Sequence, residues 1–170
     1  MKGLTISHES PGARIAPGVR SLADPVLLVA LGFGTGLAPF APGTFGSLAG
    51  LALALVLAPL GFWWNLAAVT AAVLGGIWIC GEGARRLGVH DHPAIVWDEV
   101  AGMMITMLAA PPDWWGAVLA FALFRAFDIA KPWPIREIDH GMGGGTGIML
   151  DDVMAGILAA AGLLLLQYVT

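Results

Sequence analysis

Arg125, Asp128, Lys131 and Arg136 enter the chain at the end of an apolar segment, within FRAFDIAKPWPIR (Phe124 to Arg136). Ionisable side chains at or near a bilayer are costly unless paired, hydrated or bound to a ligand. On a helix, Arg125 and Asp128 stand three apart, as do Asp128 and Lys131. The three can therefore share one face before Pro132 ends it. A mixture of Arg, Asp and Lys suits an anionic substrate handled together with a metal cation. The competing description is an internal ion-pair ladder with a snorkelling lysine.

Three further polar segments belong to the same chemistry. GFGTGLAPFAPGTFGS (Gly32 to Ser47) sets Thr35, Thr44 and Ser47 among glycines. Exposed backbone N–H groups at such a turn, leading into a helix, make an anion site. A loop that needs only left-handed backbone has the same composition. HDHPAIVWDEVAG (His90 to Gly102) puts Asp98 and Glu99 in the first turn of the helix expected over Val100–Ala110, where the helix dipole favours carboxylates. That accounts for one acid better than for two flanked by Val96, Trp97 and Val100. His90 and His92, two apart in a loop, are a weak ligand pattern, and imidazole is a softer donor than Mg²⁺ prefers. GMGGGTGIMLDDVMAG (Gly141 to Gly156) places Asp151 and Asp152 ahead of the last apolar run. One of them can be its N-cap. The other needs a separate reason, and paired carboxylates with no Lys or Arg beside them suit a hard divalent cation.

The inventory is that of a Mg²⁺-assisted phosphoryl site. Asp98, Glu99, Asp128, Asp151 and Asp152 form the acidic, metal-holding group. Arg125, Lys131 and Arg136, with Thr35, Thr44, Ser47 and the Gly-rich amides, hold phosphate. Asp98, Glu99, Arg125, Asp128, Lys131 and Asp151 are the expected catalytic set. No Cys or His sits in a recognisable phosphatase loop, so metal-activated water is preferred over a covalent thiol route.

The elements that must position these residues are apolar. Of 170 residues 58% are hydrophobic and 12% charged, with a mean hydropathy of +0.81. A soluble domain carries about 25% charged residues, so this is the composition of a membrane protein, one domain by length. A net charge of −4 supplies no basic block for nucleic acid. Cys80 is the single cysteine, which excludes a disulfide framework and a thiolate cluster. Residues 1–20 are polar, rich in Gly and Pro, without the apolar core of a cleavable signal. They are expected to be a flexible tail before one membrane-embedded domain over 21–170.

The expected fold is all-α: a multi-span helical membrane bundle with about five spans and a short interfacial or re-entrant segment. Four apolar runs, Ser47–Leu60, Trp63–Cys80, Gly116–Ala130 and Val153–Tyr168, join Val100–Ala110. All are near or below the roughly 20 residues of a full span, so some extend, tilt or cross a thinned bilayer. Pro25–Ala41, broken by glycines and prolines, is the short segment. Arg85, Arg86, Lys131 and Arg136 lie in two connections, whereas the Trp-bearing connections at Trp63–Trp64 and Trp114–Trp115 carry no Lys or Arg. The positive-inside rule makes the basic connections cytoplasmic. All four polar motifs then gather on that face.

GFGTGLAPFAPGTFGS, VHDHPAIVWDEVAGM, FRAFDIAKPWPIR and GGGTGIMLDDVMAG, in that order, resemble the bacterial phosphatidylglycerophosphatase A proteins, over roughly Asp24 to Gly156. The resemblance implies a Mg²⁺-dependent inner-membrane enzyme that hydrolyses phosphatidylglycerophosphate to phosphatidylglycerol and phosphate, in phospholipid biosynthesis. Its functional residues would be the acids and bases of the matched motifs. Other classes make different demands on the chain. A phosphoalcohol transferase using a cytidine-linked lipid would carry an Asp-Gly with Ala-Arg followed by spaced aspartates, and that signature does not occur here. A small transporter would favour an inverted repeat, which is not visible. Short apolar runs also suit a soluble helical bundle, but the Trp-flanked breaks and scarce charge favour membrane.

Overall fold

Prolines and capping residues set the helix boundaries. In the computed structural model, residues 17–90, 92–133 and 143–169 are described, and every regular element among them is helical. A 3₁₀ turn at Val19–Ala23 precedes α1 (Pro25–Ala30), whose N-cap Asp24 accepts hydrogen bonds from the Val26 and Leu27 amides. A second 3₁₀ segment, Gly32–Leu37, is broken at Phe33 and Gly34, with φ of 57° and 100°. These two short pieces are the expected interrupted segment. There follow α2 (Pro42–Leu57), with proline in its first turn, and α3 (Phe62–Leu87), closed by left-handed Gly88. Next come α4 (Trp97–Met107), α5 (Trp114–Ala130), N-capped by Asp113, and α6 (Gly144–Val169).

Four of the five apolar runs lie wholly on helices, and the fifth, Val100–Ala110, leaves α4 after Met107. Three helical stretches are long and apolar enough to cross a membrane: Pro42–Leu60, Phe62–Leu87 and Gly144–Val169. The other two, α4 with 11 residues and α5 with 17, are shorter. Two boundaries differ from expectation. Helix α2 begins at Pro42, five residues before the expected run, so Thr44 belongs to a helix and not to a Gly-rich turn, and Ser47 lies in its second turn. Helix α6 begins at Gly144, so Asp151 and Asp152 lie two turns inside it and neither is its N-cap.

Helix α4 runs through the middle of the bundle, with eight of its 11 residues buried and α2, α3, α5 and α6 packed around it. Glycines permit that approach, because between apolar helices small residues let backbones come close enough for dispersion and polar contacts. A Cβ on Gly50 of α2 would lie 2.5 Å from the Val100 carbonyl oxygen. Where α4 crosses α6, Gly102 faces Gly156, and the Thr106 hydroxyl donates to both glycine carbonyls, at 3.1 and 3.3 Å. Trp97 ties α4 to α3 by donating from Nε1 to the Ala72 carbonyl at 3.0 Å.

This crossing lies one turn from Asp98 on α4 and one turn from Asp152 on α6, so it sets the distance between them. A Cβ on Gly102 would lie 2.6 Å from the Asp152 carbonyl oxygen and 2.7 Å from the Phe124 ring. Gly102→Ala is therefore expected to cost about 1–3 kcal/mol. In α3, a Cβ on Gly75 would meet only Ile79 Cδ1, at 4.0 Å. Thermal unfolding in detergent should thus show Gly102→Ala well below wild type and Gly75→Ala level with it.

At the end of the bundle where α3 finishes, Arg86 pairs with Glu82 at 2.8 Å and with Asp24. Partial burial pushes the Asp24 carboxyl up. Its hydrogen bonds from Arg86, Val26 and Leu27 outweigh that and hold it below the usual carboxylate range. The tie fastens α1 to α3.

A carboxylate-lined cavity at the head of the central helix

Because α4 is short, its N-terminal end stops inside the ring of longer helices, leaving a cavity of about 360 Å³. The lining comes from Pro42 and Gly43 of α2, Pro93 and Ile95 before α4, and Asp98 and Glu99 in its first turn. Arg125, Asp128, Ile129 and Lys131 of α5 and its cap, with Asp151 and Asp152 of α6, complete it. Four of these elements carry the motifs that the sequence singled out.

The five expected metal-holding acids divide into two groups. Asp98, Glu99 and Asp152 each offer a carboxylate oxygen within 4.8 Å of the others. Asp98 Oδ1, Glu99 Oε2 and Asp152 Oδ1 are buried without a hydrogen-bond partner. Unpaired buried carboxylate oxygens are expensive, and three turned together repel one another. A divalent cation resolves both problems at once, and an all-oxygen donor set suits a hard ion. These residues fit a metal.

Asp128 and Asp151 instead hold cations. Arg125 Nη1 pairs with Asp128 and donates to Ser47 Oγ at 3.4 Å. Lys131 Nζ lies 2.6 Å from Asp151 Oδ2, and the Asp152 amide donates to Asp151 Oδ1 at 3.0 Å. The adjacent acids of α6 therefore do different things. Asp152 completes the unpaired trio, and Asp151 positions Lys131.

Backbone strain marks both rims of the cavity. Ala41 (φ 45°) immediately precedes Pro42, and Lys131 (φ 39°) immediately precedes Pro132. Left-handed backbone at a non-glycine residue costs of order 1–3 kcal/mol and persists where surrounding structure over-determines it. At Lys131 it ends α5 where the ammonium meets Asp151.

Other expected residues lie elsewhere. Thr35 donates to the Gly32 carbonyl at 2.9 Å and, like Thr44, is not among the lining residues. Ser47 is fully buried and donates to the Gly43 carbonyl at 2.8 Å, so its contact with the site is through Arg125. His90 Nε2 accepts from the Gly144 amide at 2.6 Å, and His92 Nδ1 from Ala94 at 3.1 Å. Both imidazoles thus serve backbone. Arg136 and residues 1–16 lie outside the described residues. Missing from the expectation was Gly43 itself, whose Cα faces Glu99 so closely that a Cβ would collide with Oε1. Its signal was present in the run PGTFG, but reading that run as a turn hid it.

The sequence model of the family described as Phosphatidylglycerophosphatase A matches residues 28–167. Phosphatidylglycerophosphatase A of Escherichia coli (strain K12) is 43% identical over 140 residues, covering 82% of this chain and 81% of that protein. The protein of the same name from Haemophilus influenzae is 47% identical over 150 residues, covering 87% and 92%. A protein of Bacteroides thetaiotaomicron named putative phosphatidylinositol-3-phosphatase is 40% identical over 139 residues, covering 77% and 86%. No solved structure matches. With a family match along nearly the whole described bundle and every cavity-lining residue inside it, this chain belongs to the phosphatidylglycerophosphatase A family.

Proposed function

We propose that the cavity at the head of α4 is where this enzyme removes the terminal phosphate of phosphatidylglycerophosphate, with Asp98, Glu99 and Asp152 holding a magnesium ion. The reaction follows from family membership: the chain is a phosphatidylglycerophosphatase, a hydrolase of a phosphate monoester. The observation that carries the site is the trio of buried, unpartnered carboxylate oxygens beside two cations. Bound to the trio, a divalent ion supplies positive charge for the phosphoryl oxygens and lowers the pKa of water.

The chain's own residues do the rest. Arg125, steadied by Asp128 and Ser47, presents a planar guanidinium that suits two phosphate oxygens. Lys131, held by Asp151, offers a compact charge at the end of the same helix. Water adds to phosphorus as the bond from phosphorus to the glycerol oxygen breaks, and that oxygen leaves with a proton as an alcohol. Arg125 and Lys131 reward the charge gathered on the phosphoryl oxygens during that exchange. By the positive-inside rule Arg85, Arg86 and Lys131 favour the cytoplasm for this end of the bundle, and the bacterial inner membrane is the setting we propose.

A panel of lipid phosphates tests the reading. Phosphate release from phosphatidylglycerophosphate should exceed that from phosphatidic acid and from phosphatidylinositol 3-phosphate by about tenfold, the scale on which pocket contacts separate related substrates. The name of the Bacteroides relative makes the third lipid the informative competitor. Equal or faster release from it would overturn the assignment of substrate.

A further inference from the structure

We infer that the lipid reaches the cavity sideways from the bilayer, between the N-terminal end of α2 and the C-terminal end of α5, and that its acyl chains lie against the outer faces of those helices. The inference rests on the proposal above that the phosphate of a lipid binds at Arg125 and Lys131.

Wall height is the first observation. Helices α3 and α6 have 26 residues each, about 39 Å, whereas α2 with 16 and α5 with 17 reach about 24 and 25 Å. A bilayer's hydrocarbon core is about 30 Å thick. Asp152 lies eight residues beyond the first residue of α6, about 12 Å along its axis. On the α6 side the wall therefore rises well past the acids. Toward α2 and α5 the wall formed by the described residues stops level with them, since Pro42 and Gly43 begin α2 and Lys131 caps α5. A headgroup phosphate meets the acids from that low side without leaving the depth its own lipid occupies.

Continuity of the surface is the second observation. Ile129 lines the cavity and is also 73% exposed, so the cavity wall passes directly into the apolar exterior of α5. Across the gap, Phe45 and Leu48 are exposed on the first turns of α2. The bond between Arg125 and Ser47 joins the two helices beneath the opening, so a phosphate entering there finds Lys131 at the rim and the guanidinium deeper in. Exposed aromatics, Phe40 ahead of α2 and Trp133 just after α5, flank the opening at the same end, as residues anchored at a membrane interface do.

The test compares long-chain phosphatidylglycerophosphate with a dihexanoyl analogue that dissolves as a monomer, using the full chain in nanodiscs. Leu48→Glu should lower kcat/KM for the long-chain lipid about tenfold, through KM, and lower it far less for the dihexanoyl analogue. Leu74→Glu, at an exposed site on α3, should leave both unchanged. Equal losses on both substrates, or equal effects of Leu74→Glu and Leu48→Glu, would overturn the lateral route and leave the phosphatase assignment standing. Wild-type inactivity towards both substrates would overturn that assignment and this route with it. A second measurement does not depend on the charged variant folding. Cys80 is fully buried, so bimane can be attached at Leu48→Cys or Leu74→Cys in an Asp98→Asn background. Substrate brominated in its acyl chains should quench the Leu48 label more than equally brominated phosphatidylcholine does, with no such excess at Leu74. Absence of any excess at Leu48 would overturn the route.

Discussion

Asp98→Asn is expected to lower phosphate release from phosphatidylglycerophosphate on the order of 10²–10³-fold, the loss seen when one preorganised electrostatic contact is removed from a buried site. Asparagine keeps the shape of the side chain and removes its charge from the trio with Glu99 and Asp152. The same substitution makes a prediction that does not involve catalysis. A ligand that binds only the folded state raises the unfolding temperature according to its concentration relative to Kd. Wild type should therefore gain thermal stability as Mg²⁺ is added, and Asp98→Asn should gain much less. In chelator the order should equalise or reverse, because the variant lacks one of three carboxylates whose buried oxygens have no hydrogen-bond partner. Asp152→Asn should behave alike. Asp151→Asn should keep the Mg²⁺-dependent stabilisation, since Asp151 holds Lys131 instead. Full activity in both Asp98→Asn and Asp152→Asn, with wild-type response to Mg²⁺, would remove the metal site.

That contrast between Asp151 and Asp152 marks the limit of what the sequence discloses. Acid type and helix-dipole position identify Asp98 and Glu99 as residues of a first turn, and they are found there. The spacing of Arg125 and Asp128 predicts their pairing, which occurs. Adjacent acids, however, diverge by about 100° around a helix, and which of them joins Asp98 and Glu99 depends on packing. Here it depends on Gly102 and Gly156, through which α4 and α6 approach one turn away.

Glycine explains the remaining differences. In soluble chains a run such as GMGGGTG reads as a turn, because glycine costs a helix about 1 kcal/mol relative to alanine. Between apolar helices the same residue permits contact of backbones. Gly145 lies inside α6 so close to the Ile77 carbonyl of α3 that a Cβ would overlap it. The glycines therefore lengthen α6 and carry Asp151 and Asp152 two turns into the bundle. The PGTFG run behaves likewise, since Gly46 of α2 rests on Val96. Once the run is helical, Thr44 and Ser47 are no longer loop hydroxyls available to a phosphate. Ser47 keeps a smaller role, as an acceptor for Arg125.

Gly43→Ala is the sharpest test of that reading, with an expected loss of activity of about tenfold to a hundredfold and little change in stability. Gly43 follows Pro42 in the first turn of α2, and its φ is not in the left-handed region, so alanine fits the backbone there. Helix propensity alone would make the change neutral or slightly stabilising. The added Cβ would collide with Glu99 Oε1, approach Glu99 Cδ to 3.2 Å and come within 3.5 Å of Arg125 Nη1. Among these atoms the carboxylate end is the one that can yield. The cost then falls on the position of Glu99 relative to Asp98 and Asp152, not on the fold. Mg²⁺ should accordingly be bound more weakly, and raising its concentration should restore part of the lost rate. A glycine with no part in the site would accept alanine here with no loss of activity and no altered response to Mg²⁺. A fully active Gly43→Ala with wild-type response to Mg²⁺ would therefore separate Gly43 from the site.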